Sequence, residues 1–160
     1  MDIRHVQEAA DFVRGRIVRP PLVGIILGSG LGGIADQIEN KVEIPYREIP
    51  HFACSTAPGH KGQLVCGTLC GMPVVCMQGR LHYYEGHAAT NILFPIRVMK
   101  LLGVKTLIVT NAAGCVRTEW QAGDLMLITD QIKMFMESPL RGENIPEFGP
   151  RFPDVTDLYS

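Results

Sequence analysis

At 160 residues, the chain is long enough for one ordinary domain with a core of its own. Its 46% hydrophobic and 19% charged residues exclude a disordered polymer, and a net charge of −1 gives no electrostatic case for nucleic acid or an anionic membrane. No apolar run reaches the length of a membrane span, and the opening Met1-Asp2-Ile3-Arg4-His5 lacks a signal peptide's apolar core, so a cytoplasmic protein is expected.

In residues 2–17, Val6, Ala9, Ala10, Val13 and Ile17 recur at helical spacing, with Asp2 placed to cap and Arg19-Pro20-Pro21 to stop the helix. Residues 22–27 form a continuous apolar run, as in a strand covered on both faces. A glycine-rich turn comes next, and 31–38 read as a short helix. Gly28, Gly30 and Gly33 fit G-x-G-x-x-G, the dinucleotide fingerprint, which opens a nicotinamide-dependent oxidoreductase as one reading. That motif also wants a second parallel strand, and the region 44–50 is broken by Pro45 and Pro50. What survives is a loop whose backbone N–H groups and Ser29 hydroxyl, at a helix start, suit a phosphate.

Residues 63–69 and 74–77 read as two strands of a hairpin, with the turn at Gly71-Met72-Pro73. The second strand leads into Gly79-Arg80-Leu81-His82-Tyr83-Tyr84-Glu85-Gly86. Arg80 and His82 alternate, so an extended segment aims both at one face, offering donors to a phosphate or carboxylate. Thr90 is placed to cap a helix to Leu102, with Pro95 in its first turns and Gly103 ending it. Residues 106–110 read as a buried parallel strand delivering Asn111-Ala112-Ala113-Gly114 to its carboxyl end, where small residues let a ligand approach the backbone. Another strand is expected over 125–129. From Gln131 onward the texture changes: residues 138–144 and 146–153 read as a long irregular loop, and Asp154-Val155-Thr156-Asp157 as a helix start. Trp120 and Met134 to Met136 read as packing residues. The five cysteines, Cys54, Cys66, Cys70, Cys76 and Cys115, lie mostly in apolar runs without metal-ligand spacing, so reduced, buried thiols and no metal are expected.

Six stretches together closely resemble the trimeric purine nucleoside phosphorylases over essentially the whole chain. They are Ile-Leu-Gly-Ser-Gly-Leu-Gly at 26–32, Pro-Gly-His at 58–60, Gly-Arg-Leu-His-Tyr-Tyr-Glu-Gly at 79–86, Thr-Asn-Ala-Ala-Gly at 110–114, Pro-Leu-Arg-Gly at 139–142 and Arg-Phe-Pro at 151–153. The resemblance implies an α/β fold with a mixed, largely parallel central sheet flanked by helices. It implies a single phosphorylase-like domain over 1–160, incomplete at its C-terminus. The implied reaction is phosphorolysis of purine (deoxy)ribonucleosides to free base and pentose 1-phosphate, with phosphate as co-substrate and no cofactor.

The resemblance assigns phosphate binding to Ser29, His60, Arg80, His82 and the backbone at Ala112, with His82 and Glu85 as catalytic-motif residues. Tyr84, Asn111, Ala112, Ala113, Gly114 and Phe152 fall to the substrate, with Phe152 reaching a neighbouring subunit's site in a homotrimer. The family's typical chain continues past Ser160 with the groups that grip the purine, so these 160 residues are expected to bind phosphate with negligible nucleoside cleavage. A non-catalytic binding protein built from half a phosphorylase is the remaining alternative.

Overall fold

The structure, a computed structural model, describes residues 2–54, 61–134 and 138–159. They group into two compact units, Met1–Ala112 and Ala113–Ser160.

In the first unit, Asp2 caps α1 (Ile3–Arg14), its Oδ1 accepting the Arg4 N–H at 2.9 Å. Val6, Ala9, Ala10 and Val13 line the buried face of that helix. Instead of running on to the prolines, α1 stops at Gly15, a weak helix former, and leaves Ile17 outside it. The chain then lays down β1 (Val23–Ile26), a 3-10 stretch (Gly32–Gln37), β2 (Glu39–Pro45), a 3-10 turn (Tyr46–Glu48), β3 (Gln63–Leu69), β4 (Met72–Gln78), α2 (Ala89–Leu102) and β5 (Thr106–Val109). A further 3-10 turn (Tyr83–Glu85) separates β4 from α2.

The five strands form one mixed sheet in the order β2-β3-β4-β1-β5. β1 is parallel to both β4 and β5, whereas β2-β3 and β3-β4 are antiparallel. The hairpin turns at Cys70-Gly71 (φ 49° and 77°), not at Gly71-Pro73, because a two-residue turn with both φ positive matches the twist of the flanking strands. The region after the glycine turn is thus an antiparallel strand closed by Pro45, and the dinucleotide pattern's second parallel strand is missing there.

Ile25, Leu27, Ala35, Ile38, Val65, Val74 and Cys76 form a buried cluster, and α1 packs against α2. Apolar burial of this kind supplies about 25 cal/mol per Å² removed from water. α2 begins at Ala89, one residue before the predicted cap. Ala88 holds the cap position without a side-chain bond, and Thr90 lies inside the first turn. The helix runs through Pro95 and ends at Gly103, whose φ of 110° suits the left-handed terminus.

Three expectations are corrected. β5 is parallel to β1 but exposed, not buried: it stands last in the strand order, and Leu107, Ile108 and Val109 are 39, 47 and 58% exposed. Residues 125–129 form no strand, since no described segment pairs with them and Leu125 and Leu127 are exposed. Asp154 Oδ1 accepts from Thr156 N (2.9 Å) and Oγ1 (2.6 Å), a local turn that takes up the cap's bonds, and no helix follows among the described residues.

Among its described residues the second unit is otherwise irregular, with one 3-10 turn (Pro146–Phe148). Met134 is exposed there rather than packed, Phe135 and Met136 lie outside the described residues, and Trp120 is half-buried under the Arg117 guanidinium. Only Cys66 and Cys76 are buried. Cys54, Cys70 and Cys115 are exposed, Cys70 because it occupies the hairpin turn. Among the described residues no helix is long and apolar enough to cross a membrane.

Candidate functional site

Because β4, β1 and β5 are mutually parallel neighbours, the loops at their carboxyl ends emerge at one end of the sheet. These are the stretches carrying Arg80 and His82, Gly28 to Gly33, and Thr110 to Ala112. Hydrogen bonds tie all three together. The Gly28 N–H donates to Thr110 Oγ1 (2.8 Å), that hydroxyl donates to the Ile26 carbonyl (2.9 Å), and Arg80 donates from a terminal guanidinium nitrogen to the Thr110 carbonyl (2.6 Å). Only glycine fits at position 28: a Cβ there would lie 2.8 Å from both Asn111 Cα and Thr110 O.

Gly30, at φ 84°, turns the chain, and the exposed Ser29 sits at the tip. The turn leads into the short helix expected, in 3-10 form over Gly32–Gln37, so any anion binding here falls to loop amides and the Ser29 hydroxyl rather than to an α-helix dipole. Gln78, buried at the end of β4, braces this loop by donating from Nε2 to the Gly32 carbonyl (2.9 Å) and accepting from Gln63 Nε2 (2.8 Å). Tyr46 OH donates to the Gly79 carbonyl (2.6 Å), and burial raises its pKa so that it stays a donor.

In the 79–86 loop, Glu85 is nearly inaccessible. Its Oε2 accepts the His82 backbone N–H at 2.8 Å and lies 3.1 Å from His82 Nδ1. The carboxylate thereby fixes the imidazole from the inside, and Tyr84 stacks on it with ring centroids 4.7 Å apart. Tyr84 itself is 77% exposed, an aromatic face open to a flat or ring-shaped ligand.

The structure thus gathers Ser29, Arg80, His82, Tyr84, Glu85, Asn111 and Ala112 on three adjoining loops of the first unit. His60 lies outside the described residues. Ala113, Gly114 and Phe152 belong to the second unit, where Phe152 is 88% exposed with the Arg151 guanidinium over its ring. Gln78 and Tyr46 are structurally central and were not singled out from the sequence, and Thr110, though within the motif at 110–114, was given no role of its own. The signals were a hydroxyl at the end of a β-branched run and a glutamine closing an apolar strand. Among the described residues no three His, Cys, Asp or Glu side chains gather as a metal site would require.

An open sheet whose glycine-rich and polar loops meet beyond its parallel strand ends is the architecture of α/β phosphate- and nucleotide-binding proteins. Residues 22–160 match the model of the phosphorylase superfamily, and the chain belongs to that superfamily. It is 54% identical to purine nucleoside phosphorylase 1 of Bacillus subtilis (strain 168), over 96% of this chain and 57% of that protein. To the purine nucleoside phosphorylase of Bos taurus it is 46% identical, over 96% of this chain and 54% of that one. A crystal structure of Schistosoma mansoni purine nucleoside phosphorylase complexed with a novel monocyclic inhibitor superposes with a TM-score of 0.90 at 42% identity, over 99% of this chain and 59% of that chain. Isoform 2 from that organism, in complex with cytosine and ribose-1-phosphate, gives 0.88 at 43% identity, over 99% and 56%. The chain therefore spans little more than half the length of these relatives. The likeness read from the motifs and the mixed α/β sheet are both borne out, and the oxidoreductase reading finds no support.

Proposed function

We propose that this chain carries the phosphate-side half of a purine nucleoside phosphorylase site, whose reaction is phosphorolysis of purine (deoxy)ribonucleosides. The observation that carries the reading is the convergence of three loops, with Ser29, Arg80, His82 and the backbone at Ala112, at one end of a parallel strand trio. His60, from the motif at 58–60, joins this phosphate set, and Glu85 orients His82.

In the reaction a phosphate oxygen forms a bond to the anomeric carbon while the glycosidic C–N bond breaks. The electron pair leaves with the purine, which takes up a proton, and the sugar departs as its 1-phosphate. Positive charge builds on the sugar ring, so what the enzyme supplies is position: an anion held beneath the ring and water kept away. Arg80 and the loop amides hold the phosphate through charge-assisted bonds. Tyr84 contacts the sugar, the small residues Asn111, Ala112, Ala113 and Gly114 let it approach the backbone, and Phe152 covers it from a neighbouring subunit in a homotrimer. A relative crystallised with ribose-1-phosphate supports the product assignment. The residues act together in one cytoplasmic, phosphorylase-like domain, with inorganic phosphate as co-substrate.

The test is calorimetric titration of the 160-residue chain with phosphate beside an inosine phosphorolysis assay. Phosphate binding is expected, weakened roughly tenfold or more in Arg80→Ala, since a hydrogen bond to a charged group contributes about 1.5–3 kcal/mol. Inosine cleavage is expected to be negligible. Absence of phosphate binding removes the reading, and turnover at a normal enzymatic rate shows that these residues suffice for catalysis.

A further inference from the structure

We infer that Thr110 is the positioning residue of this site: its hydroxyl and carbonyl set the spacing of the three loops and hence the geometry in which phosphate is held. The inference rests on the phosphate reading above and deepens it.

Thr110 closes β5, the strand least held by packing, since Leu107, Ile108 and Val109 are all substantially exposed. The bonds that fix the carboxyl end of β5 against β1 are therefore polar. The Thr110 N–H donates to Ile26 O at 3.1 Å, and its hydroxyl donates to the same carbonyl at 2.9 Å. That hydroxyl in turn accepts the Gly28 N–H at 2.8 Å, so donor and acceptor capacity are both engaged and its orientation is fixed. On the other side, the Thr110 carbonyl receives the Arg80 guanidinium at 2.6 Å. One residue thus touches the loop after β1 through its side chain and the loop after β4 through its backbone, while its own loop begins at Asn111.

For phosphate there are two consequences. The Gly28 N–H is spent on Thr110, which leaves the groups from Ser29 onward to face an anion. Arg80 donates from a terminal guanidinium nitrogen to the Thr110 carbonyl, which ties the orientation of its planar fork to the end of this strand. Glycine at 28 is part of the same device, because the two loops approach too closely for any side chain there.

Thr110→Val keeps the shape but removes the hydroxyl, leaving the buried Gly28 N–H without its partner, whereas Thr110→Ser keeps the bond. Two readouts separate the possibilities: hydrogen exchange at the Gly28 amide, and phosphate affinity by calorimetry at a temperature where every variant is folded. Expected are fast Gly28 exchange and an affinity about tenfold weaker in Thr110→Val, with both restored in Thr110→Ser. Val98→Ala, a core change in α2, serves as a control that lowers the melting temperature and leaves affinity unchanged. In the unaltered chain, phosphate is expected to slow Gly28 exchange further, a measurement that needs no variant to fold. Unchanged affinity in Thr110→Val, or wild-type Gly28 exchange indifferent to bound phosphate, overturns the positioning role while leaving the phosphate reading standing. A wild-type chain that binds no phosphate takes down both.

Discussion

Cys66 on β3 and Cys76 on β4 are buried where the two strands pair, and burial pushes both thiols up to about 12. In the unfolded chain they ionise near the ordinary thiol value, about 8.5. Between those limits the folded state binds more protons, so the stability contribution is fully present below about pH 8.5 and is lost as pH rises towards 12. The slope is roughly 1.4 kcal/mol per pH unit for each thiol. Urea unfolding at pH 8 and pH 10.5 is expected to show a steep loss in the wild type and a shallower one in a Cys66→Ala/Cys76→Ala variant, whatever that variant's absolute stability. Equal slopes would mean that other groups govern the alkaline limb. At this scale the sequence was informative where chemistry is local. Arg80, His82 and Glu85 belong to one loop, and the alternation of Arg80 and His82 already suggested a common face for those two. Thr110 was not legible as a hub because its partners, Gly28 and Arg80, lie 82 and 30 positions away, and such a bond exists only once the strand order is known.

Among the elements, α1 shows what a local pattern can decide. Its apolar positions and its cap were readable, and the cap has a pH signature. Two donors from Arg4, first the guanidinium and then the backbone N–H, hold the Asp2 carboxyl at about 2. A depressed carboxyl contributes stability above its unfolded pKa, about 3.9, and loses it as pH falls through the folded value. The melting temperature of Asp2→Ala is therefore expected to lie below that of the wild type by a constant gap from pH 6 to about 4. The gap should close as pH approaches 2; one that persists there would assign the difference to packing rather than to the charged cap. Strands were less legible than helices for a related reason. A β-branched run such as 106–109 or an apolar run such as 125–129 says that an extended backbone is tolerated, but pairing and cover come from elsewhere in the chain. The first run found β1 and lies at an exposed edge, while the second found no partner among the described residues. The glycine turn was likewise readable as a turn, whereas the 3-10 form of residues 32–37 depends on packing over Ala35 and Ile38 in the core cluster.

For the molecule as a whole, the chain divides at Ala112 into two compact units. Among the described residues, every strand and both α-helices lie before that boundary, as do the three loops and all the residues assigned to phosphate. The residues beyond it contribute a 3-10 turn and exposed side chains such as Val116, Leu125, Leu127 and Ile132. Segments with few buried apolar groups and no ladder bonds open at low free-energy cost, and proteases cut where the backbone opens. Limited proteolysis of the 160-residue chain is therefore expected to cut first after residue 112 and to leave a resistant N-terminal core. If the first unit also holds phosphate by itself, a chain ending at Ala112, which lacks Trp120, should still unfold cooperatively and keep phosphate affinity within about threefold, under half of the 1.4 kcal/mol that a tenfold change represents. β5 would remain an exposed edge in that shortened chain, so the measurement belongs at low protein concentration, where edge pairing between copies is disfavoured. First cuts between β3 and β4, or phosphate affinity lost together with residues 113–160, would place part of the anion site beyond Ala112 and make the second unit a contributor to it.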